Sequence, residues 1–258
     1  MSDDLFVWTA YLFLMFLRIS AIFTISPVFG RRNMPNIAKL GLSLLIAYIS
    51  ISAFPPAQSN SFENVVQYAM LCFGELSIGL IIGIITTVFF SAVHTAGQLI
   101  DMQIGFSFVQ IFEQSFGGQI PIMGSLLQSI LLICFFAADG HHALIRLIGG
   151  TFETIPVGNA AINPQIAMHF TQIFITTFVL AVKIAMPIIA ASLLAEVMLG
   201  VLIRTVPQMN FFVIGFPIKI GLGLLVLFAF IPVFVNMSNQ IFDGMLNEIK
   251  STFSLMAV

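Results

Sequence analysis

The sequence predicts an all-α, polytopic membrane protein built of long, kinked helical hairpins, and three observations carry that prediction. Hydrophobic residues make up 59% of the 258 and charged residues only 8%, with a mean hydropathy of +1.07, more apolar surface than one water-soluble core of this size hides. The apolar residues fall in runs of membrane length, broken at Pro, Gly and polar clusters. The ionisable residues inside those runs, among them Arg18, Glu75, Lys183, Glu196 and Lys219, are isolated charges in hydrocarbon rather than members of solvated charged faces.

Composition also excludes functions. The net charge of -2 and the lack of any Lys/Arg run leave no footprint for nucleic acid. Cys72 and Cys134 sit in apolar runs without CxxC or Cys/His spacing and read as small hydrophobes, so neither a disulfide, a metal nor another cofactor is expected. Met1-Ser2-Asp3-Asp4 is acidic where a signal peptide needs a basic start, and the apolar run that follows is too long for one. The first segment is expected to remain in the mature protein.

Residues 5–26 predict a first membrane-length helix ending at Ser26-Pro27, with Arg18 in its C-terminal third. Arg18 either snorkels or finds a local partner, or serves a subunit contact. Arg31, Arg32 and Lys39 bring three of the nine basic residues together around the following loop. By the positive-inside rule this loop faces the cytoplasm and the N-terminus the outside. Residues 37–54 return through the membrane, and Pro55-Pro56 opens a polar outer turn. The run over residues 65–93 exceeds the roughly 20 residues a bilayer needs. It carries Glu75 and a GxxxG motif at Gly79 and Gly83, which allows close helix approach but is common in apolar runs.

Residues 97–124 hold Asp101 and Glu113 but no cation, against the positive-inside trend. That conflict predicts non-helical backbone buried in protein or lining a pore. Within it Gly105, Phe106, Phe108, Phe112, Phe116, Gly117, Gly118 and Pro121 form an apolar segment with glycine hinges, either a bulky plug or a poorly ordered amphipathic connection. The apolar run over 125–138 ends in Asp139-Gly140-His141-His142. A metal reading fails on geometry, since neighbouring helical side chains point about 100° apart; a turn or helix cap is expected instead. Residues 151–164 read as a polar linker.

The last third is a hairpin. Residues 166–203 form one arm, the second runs to about residue 235, and a short amphipathic helix with Asp243, Glu248 and Lys250 follows as a tail. The fold-back lies at Arg204, Pro207, Gln208 and Asn210, where Pro207 removes a backbone donor and Asn210 is placed to cap the next helix. Folding about the Pro207–Gln208 step sets Gly200 against Gly215 and Glu196 against Lys219. The glycines would let the arms approach, and the charges would neutralise each other; the alternative is that each charge pairs with another subunit.

These residues carry a family resemblance. Leu199-Gly200, Arg204, Pro207-Gln208-Met209-Asn210, Phe212, Gly215-Phe216-Pro217, Lys219 and Gly221 resemble the signature of the FliR family, membrane export-gate subunits of the flagellar type III secretion apparatus. Arg18 with Ser26-Pro27-Val28-Phe29 and Pro35, Gly97-Gln98-Leu99-Ile100 with Gly105, Asp139-Gly140-His141 and Ile155-Pro156-Val157-Gly158 extend the match in the same order along essentially the whole chain. The resemblance implies a FliP-like helical part over 1–165, with a plug at 105–121, joined to a FliQ-like hairpin and tail over 166–258. It implies a place in a helical pore assembly with FliP-like and FliQ-like gate subunits, working with FlhB-like and FlhA-like export components, in the bacterial inner membrane and flagellar basal body and projecting toward the periplasm. Unfolded exported chains would pass through it. Phe112-Glu113-Gln114 departs from the family's acidic residue followed by proline, which bears on the turn of the loop. The hairpin wording resembles the flagellar form, with the homologous subunit of virulence injectisomes as the alternative. Pro187 and Pro217, which interrupt their helices, would also suit an independent small-solute transporter. No HExxH or Gly-x-Ser-x-Gly pattern points to an enzyme.

Overall fold

The computed structural model describes residues 2–30, 34–55, 64–107, 121–159, 163–205 and 211–256. Seven long helices organise them: α1 (Ser2–Ile25), α2 (Asn36–Ala53), α3 (Val65–Ile104), α4 (Ile122–Ala137), α5 (Gly140–Thr154), α6 (Gln165–Thr205) and α7 (Phe211–Met256). No strand occurs among the described residues. Five helices are long and apolar enough to cross a membrane, or six spans result if α4 and α5 count as one broken span. Two compact units share these helices, one made of residues 1–88, 139–173 and 242–258, the other of 89–138 and 174–241.

In the first unit α1 and α2 form an antiparallel hairpin. Trp8 meets Tyr48 edge to face at 6.0 Å, and at the other end Lys39 Nζ donates to the Gly30 carbonyl at 3.0 Å. Pro35 starts α2 and Pro55 follows its C-cap Phe54, so imino residues delimit both ends. α3 runs parallel to α1, as alternating spans require. Tyr68 Oη donates to the Ala10 carbonyl at 3.0 Å and Thr87 Oγ1 to the Ile25 carbonyl at 3.0 Å. Between these bonds Gly79 and Gly83 press against Arg18, Ala21 and Ile25, where any Cβ would overlap α1. The GxxxG motif therefore does what its spacing allows. Leu14, Ile19, Ile22 and Phe23 of α1 and Ile78 and Ile82 of α3 are fully buried.

In the second unit the end of α3 packs antiparallel on α4. Phe90 meets Phe135 edge to face at 5.8 Å, and further on Gly97 lies directly on the backbone of Gly124. α6 and α7 supply the rest, with narrow buried stripes and wide exposed apolar faces; Leu194 is 66% and Phe228 78% exposed.

Four expectations are corrected. Residues 97–104 are not irregular backbone: α3 continues through Gly97 to Ile104 as a helix of 40 residues, because Gly97 is buried against Gly124 and its backbone keeps its helical bonds. The stretch 151–164 is helical through Thr154, the end of α5. The C-terminal tail is no separate helix: α7 runs for 46 residues through Pro217 and Pro232, about 69 Å at ~1.5 Å per residue. Finally, the two histidines after Asp139 do not diverge. His141 and His142 have ring centroids 4.0 Å apart, and one ligand atom from each of Asp139, His141 and His142 lies within 4.8 Å of the others. Asp139 is left-handed at φ 54°, where the chain bends by 70° between α4 and α5, and its Oδ1 lies 3.1 Å from His142 Nδ1. Its carbonyl accepts the amides of His142 and Ala143, and a cation here would oppose the positive end of the α5 dipole. The group starts a helix.

Candidate functional site

The polar centre of the first unit is Arg18. On α1 its neighbours are apolar, and it is completely buried, as is Glu75 of α3. Two such charges survive in hydrocarbon only as a fully hydrogen-bonded pair. Arg18 Nε donates to Glu75 Oε2 at 2.6 Å and Nη2 to Oε1 at 3.0 Å, the bidentate fork that suits a guanidinium. Nη1 donates to Thr151 Oγ1 at 3.0 Å, and Nη1 and Nη2 both donate to the Ile155 carbonyl, at 3.2 and 3.1 Å. All five guanidinium protons are thus placed. Glu75 Oε1 also accepts the Gly158 amide at 2.9 Å, from a glycine at φ +91°, and the Phe152 ring lies 4.5 Å from the guanidinium carbon. One ion pair ties α1, α3, α5 and the 155–158 turn together. Of the alternatives for Arg18, the local partner is realised. Of the partners, Ile155 and Gly158 fall in the Ile155-Pro156-Val157-Gly158 wording, while nothing in the sequence marks Thr151 and Phe152 as contacts of Arg18.

In the second unit Asp101, 1% exposed, is on a helix and not in a loop. Its carboxylate accepts the Met123 amide at 3.2 and 3.1 Å. The reason is local: Pro121 occupies the N-cap of α4 and has no side-chain acceptor, so an acid from α3 serves the unpaired amides and the positive end of the helix dipole. Gly105, at φ +105°, ends α3 with its amide on the Asp101 carbonyl at 3.1 Å, a left-handed terminus that favours glycine. The Phe216 ring packs over it, 3.1 Å from where a Cβ would stand. Phe106 and Pro121 are half-buried. Phe108, Phe112, Phe116, Gly117 and Gly118 lie outside the described residues.

On the hairpin, Lys219 Nζ donates to Glu196 Oε1, the contact that folding about Pro207–Gln208 sets up. The lysine side chain is 14% exposed and the glutamate 42%. The glycine half of the same register is corrected: no atom lies within 4 Å of a Cβ built at Gly200, so the arms do not close on each other there, although Gly215 is buried. Close approach in this unit occurs instead at Gly97 with Gly124 and where Gly223 receives Ile104. Arg204 and Pro217 are exposed. Pro207, Gln208 and Asn210 lie outside the described residues.

With five membrane-length helices among the described residues, Arg18 and Glu75 buried as a pair and Asp101 and Lys39 satisfied by backbone groups, the all-α chain is a polytopic integral membrane protein. The family described as "Bacterial export proteins, family 1" matches residues 9–245. Among similar proteins, the flagellar biosynthetic protein FliR of Bacillus subtilis (strain 168) is 31% identical, with 100% of both chains covered. That of Escherichia coli (strain K12) is 27% identical over 98% of this chain and 96% of its own, and that of Aquifex aeolicus (strain VF5) 31% identical over 90% of each. The chain belongs to this family of bacterial export proteins, the FliR family, and is a subunit of the flagellar protein export gate.

Proposed function

We propose that the chain forms part of the wall of the export channel in the bacterial inner membrane and supplies the segment that closes it before export. Residues 1–165 serve as the FliP-like part and 166–258 as the FliQ-like hairpin, standing beside FliP-like and FliQ-like subunits and working with FlhB-like and FlhA-like components. Unfolded chains pass along the assembly, a task that asks for no catalytic group and no cofactor. Glu196, Gly200, Arg204, Gly215, Pro217 and Lys219, with the turn residues Pro207, Gln208 and Asn210, belong to the face that meets the neighbouring subunits; the open space at Gly200 supports this.

The observation that supports the closing role most is the Asp101 clasp. By joining the last turn of α3 to the first of α4, it holds the base of the segment that carries Phe106, Phe108, Phe112 and Phe116. A bulky apolar segment held at its base suits a constriction that excludes water and ions. Replacing residues 106–120 by a short Gly/Ser linker should raise ion leak through the assembled gate. Background conductance in an assembled deletion complex would overturn the reading.

A further inference from the structure

The first unit carries a groove of about 440 Å³ between α5 and the last turns of α7. Gly150 of α5 opens its floor: a Cβ there would meet nothing within 4 Å. Leu246 and Phe253 of α7 supply an apolar wall, while Arg146 and Glu153 of α5 and Lys250 of α7 supply three exposed charges. Among the described residues none of the three has an ion-pair partner. Two cations and one carboxylate thus border one groove with an apolar wall, none of them in an ion pair among the described residues.

The setting narrows what fits. α5 buries Leu144, Ile148 and Phe152 on one side and presents Arg146 and Glu153 on another. At 15 residues it is shorter than the roughly 20 needed to span a bilayer. Its apolar side packs on the protein's own core and its charged side borders the groove, so polar and apolar surface meet along the groove as headgroup and glycerol meet in a phospholipid. Arg146 and Glu153, seven residues apart, are separated by about 10 Å along the helix, which leaves room for a phosphate and an ammonium in line between two extended side chains. A purely anionic headgroup would set a second negative charge near Glu153 without using it, and a quaternary ammonium offers no proton to the carboxylate. We propose that this groove binds a phospholipid whose headgroup bears a primary amine: its phosphodiester between Arg146 and Lys250, its ammonium on Glu153, its glycerol and upper acyl carbons along Leu246 and Phe253.

The test is native mass spectrometry of the full chain, purified in detergent and stripped of lipid, titrated with phosphatidylethanolamine, phosphatidylglycerol and phosphatidylcholine of identical acyl chains. Phosphatidylethanolamine should bind best. Each cation near a membrane surface is worth about five-fold in anion binding, so Arg146→Gln with Lys250→Gln should weaken it about 25-fold. Glu153→Gln should abolish the preference among the three lipids, and Gly150→Leu, which fills open space, should weaken binding without lowering the melting temperature. Glycerophosphoethanolamine, which has no acyl chains, should compete poorly; if it competes as well as the lipid, the lipid assignment is wrong. Equal binding of the three lipids by the unaltered chain, or unaltered affinity in the charge or Gly150 variants, would overturn the proposal and leave the export assignment untouched.

Discussion

Replacing Arg18 by methionine removes one side of a buried ion pair while keeping a flexible apolar stem of similar length in its place. Glu75 would stay fully buried with only the Gly158 amide at 2.9 Å still donating to it, and the Ile155 carbonyl would lose both its guanidinium donors. Breaking a buried pair from one side costs about 3–5 kcal/mol, against a net stability of about 5–15 kcal/mol for a folded domain. For a chain of this size each kcal/mol moves the melting temperature by about 2–4 °C, so the loss should be about 6–20 °C, read by circular dichroism of the detergent-purified protein. Adding Glu75→Leu removes the stranded charge. The double variant should recover much of the loss, though not all, because the Ile155 carbonyl and Gly158 amide remain without partners at about 1–3 kcal/mol. Arg18→Lys, which keeps the charge but cannot donate in a fork, should fall between the unaltered protein and the methionine variant. A methionine variant that melts within 2 °C of the unaltered protein, on the order of the shift expected for 1 kcal/mol, would refute the reasoning; so would a double variant less stable than the single one.

Other consequences follow from the same contacts. Gly97→Ala should destabilise by about 1–3 kcal/mol, because its methyl would overlap the Gly124 backbone. Gly200→Ala, with nothing within 4 Å, should be neutral or gain up to about 1 kcal/mol of helix propensity; thermal melts of the pair check both, and equal effects would contradict the packing. For the hairpin, Glu196→Lys and Lys219→Glu should each lower stability by about 1 kcal/mol, as expected of a partly exposed pair, and the double reversal should restore it; a double-mutant cycle with no coupling would show that the contact carries no energy. The basic cluster predicts that a cysteine at Asn36 is labelled from the cytoplasm and one near the N-terminus from the periplasm; labelling of position 36 only from the periplasm would reverse the topology.

Much of this protein is written along the chain in one dimension. Whether a segment spans a membrane depends on its own hydropathy and length, so α1, α2, α6 and the greater part of α3 and α7 are legible without any knowledge of neighbours. Where two arms are joined by a short turn, register is partly local: Glu196 and Lys219, 23 residues apart, meet as folding about Pro207–Gln208 predicts, while Gly200, which the same folding sets against Gly215, has open space instead. Tertiary structure decided what depends on distant partners. Arg18 finds Glu75 57 residues away and Thr151 133 residues away; hydropathy marks each charge as costly but says nothing of which distant group relieves it. The cation-free stretch from Gly97 reads as non-helical by its charge pattern, yet α3 continues through it, and Gly97 leaves the room that the Gly124 backbone occupies. The end of α3 falls instead at Gly105, where the amide bonds back to the Asp101 carbonyl while the Asp101 side chain caps a helix that begins after a proline. Helix composition is a property of the segment. Helix endings and buried charge pairs are properties of what packs against it.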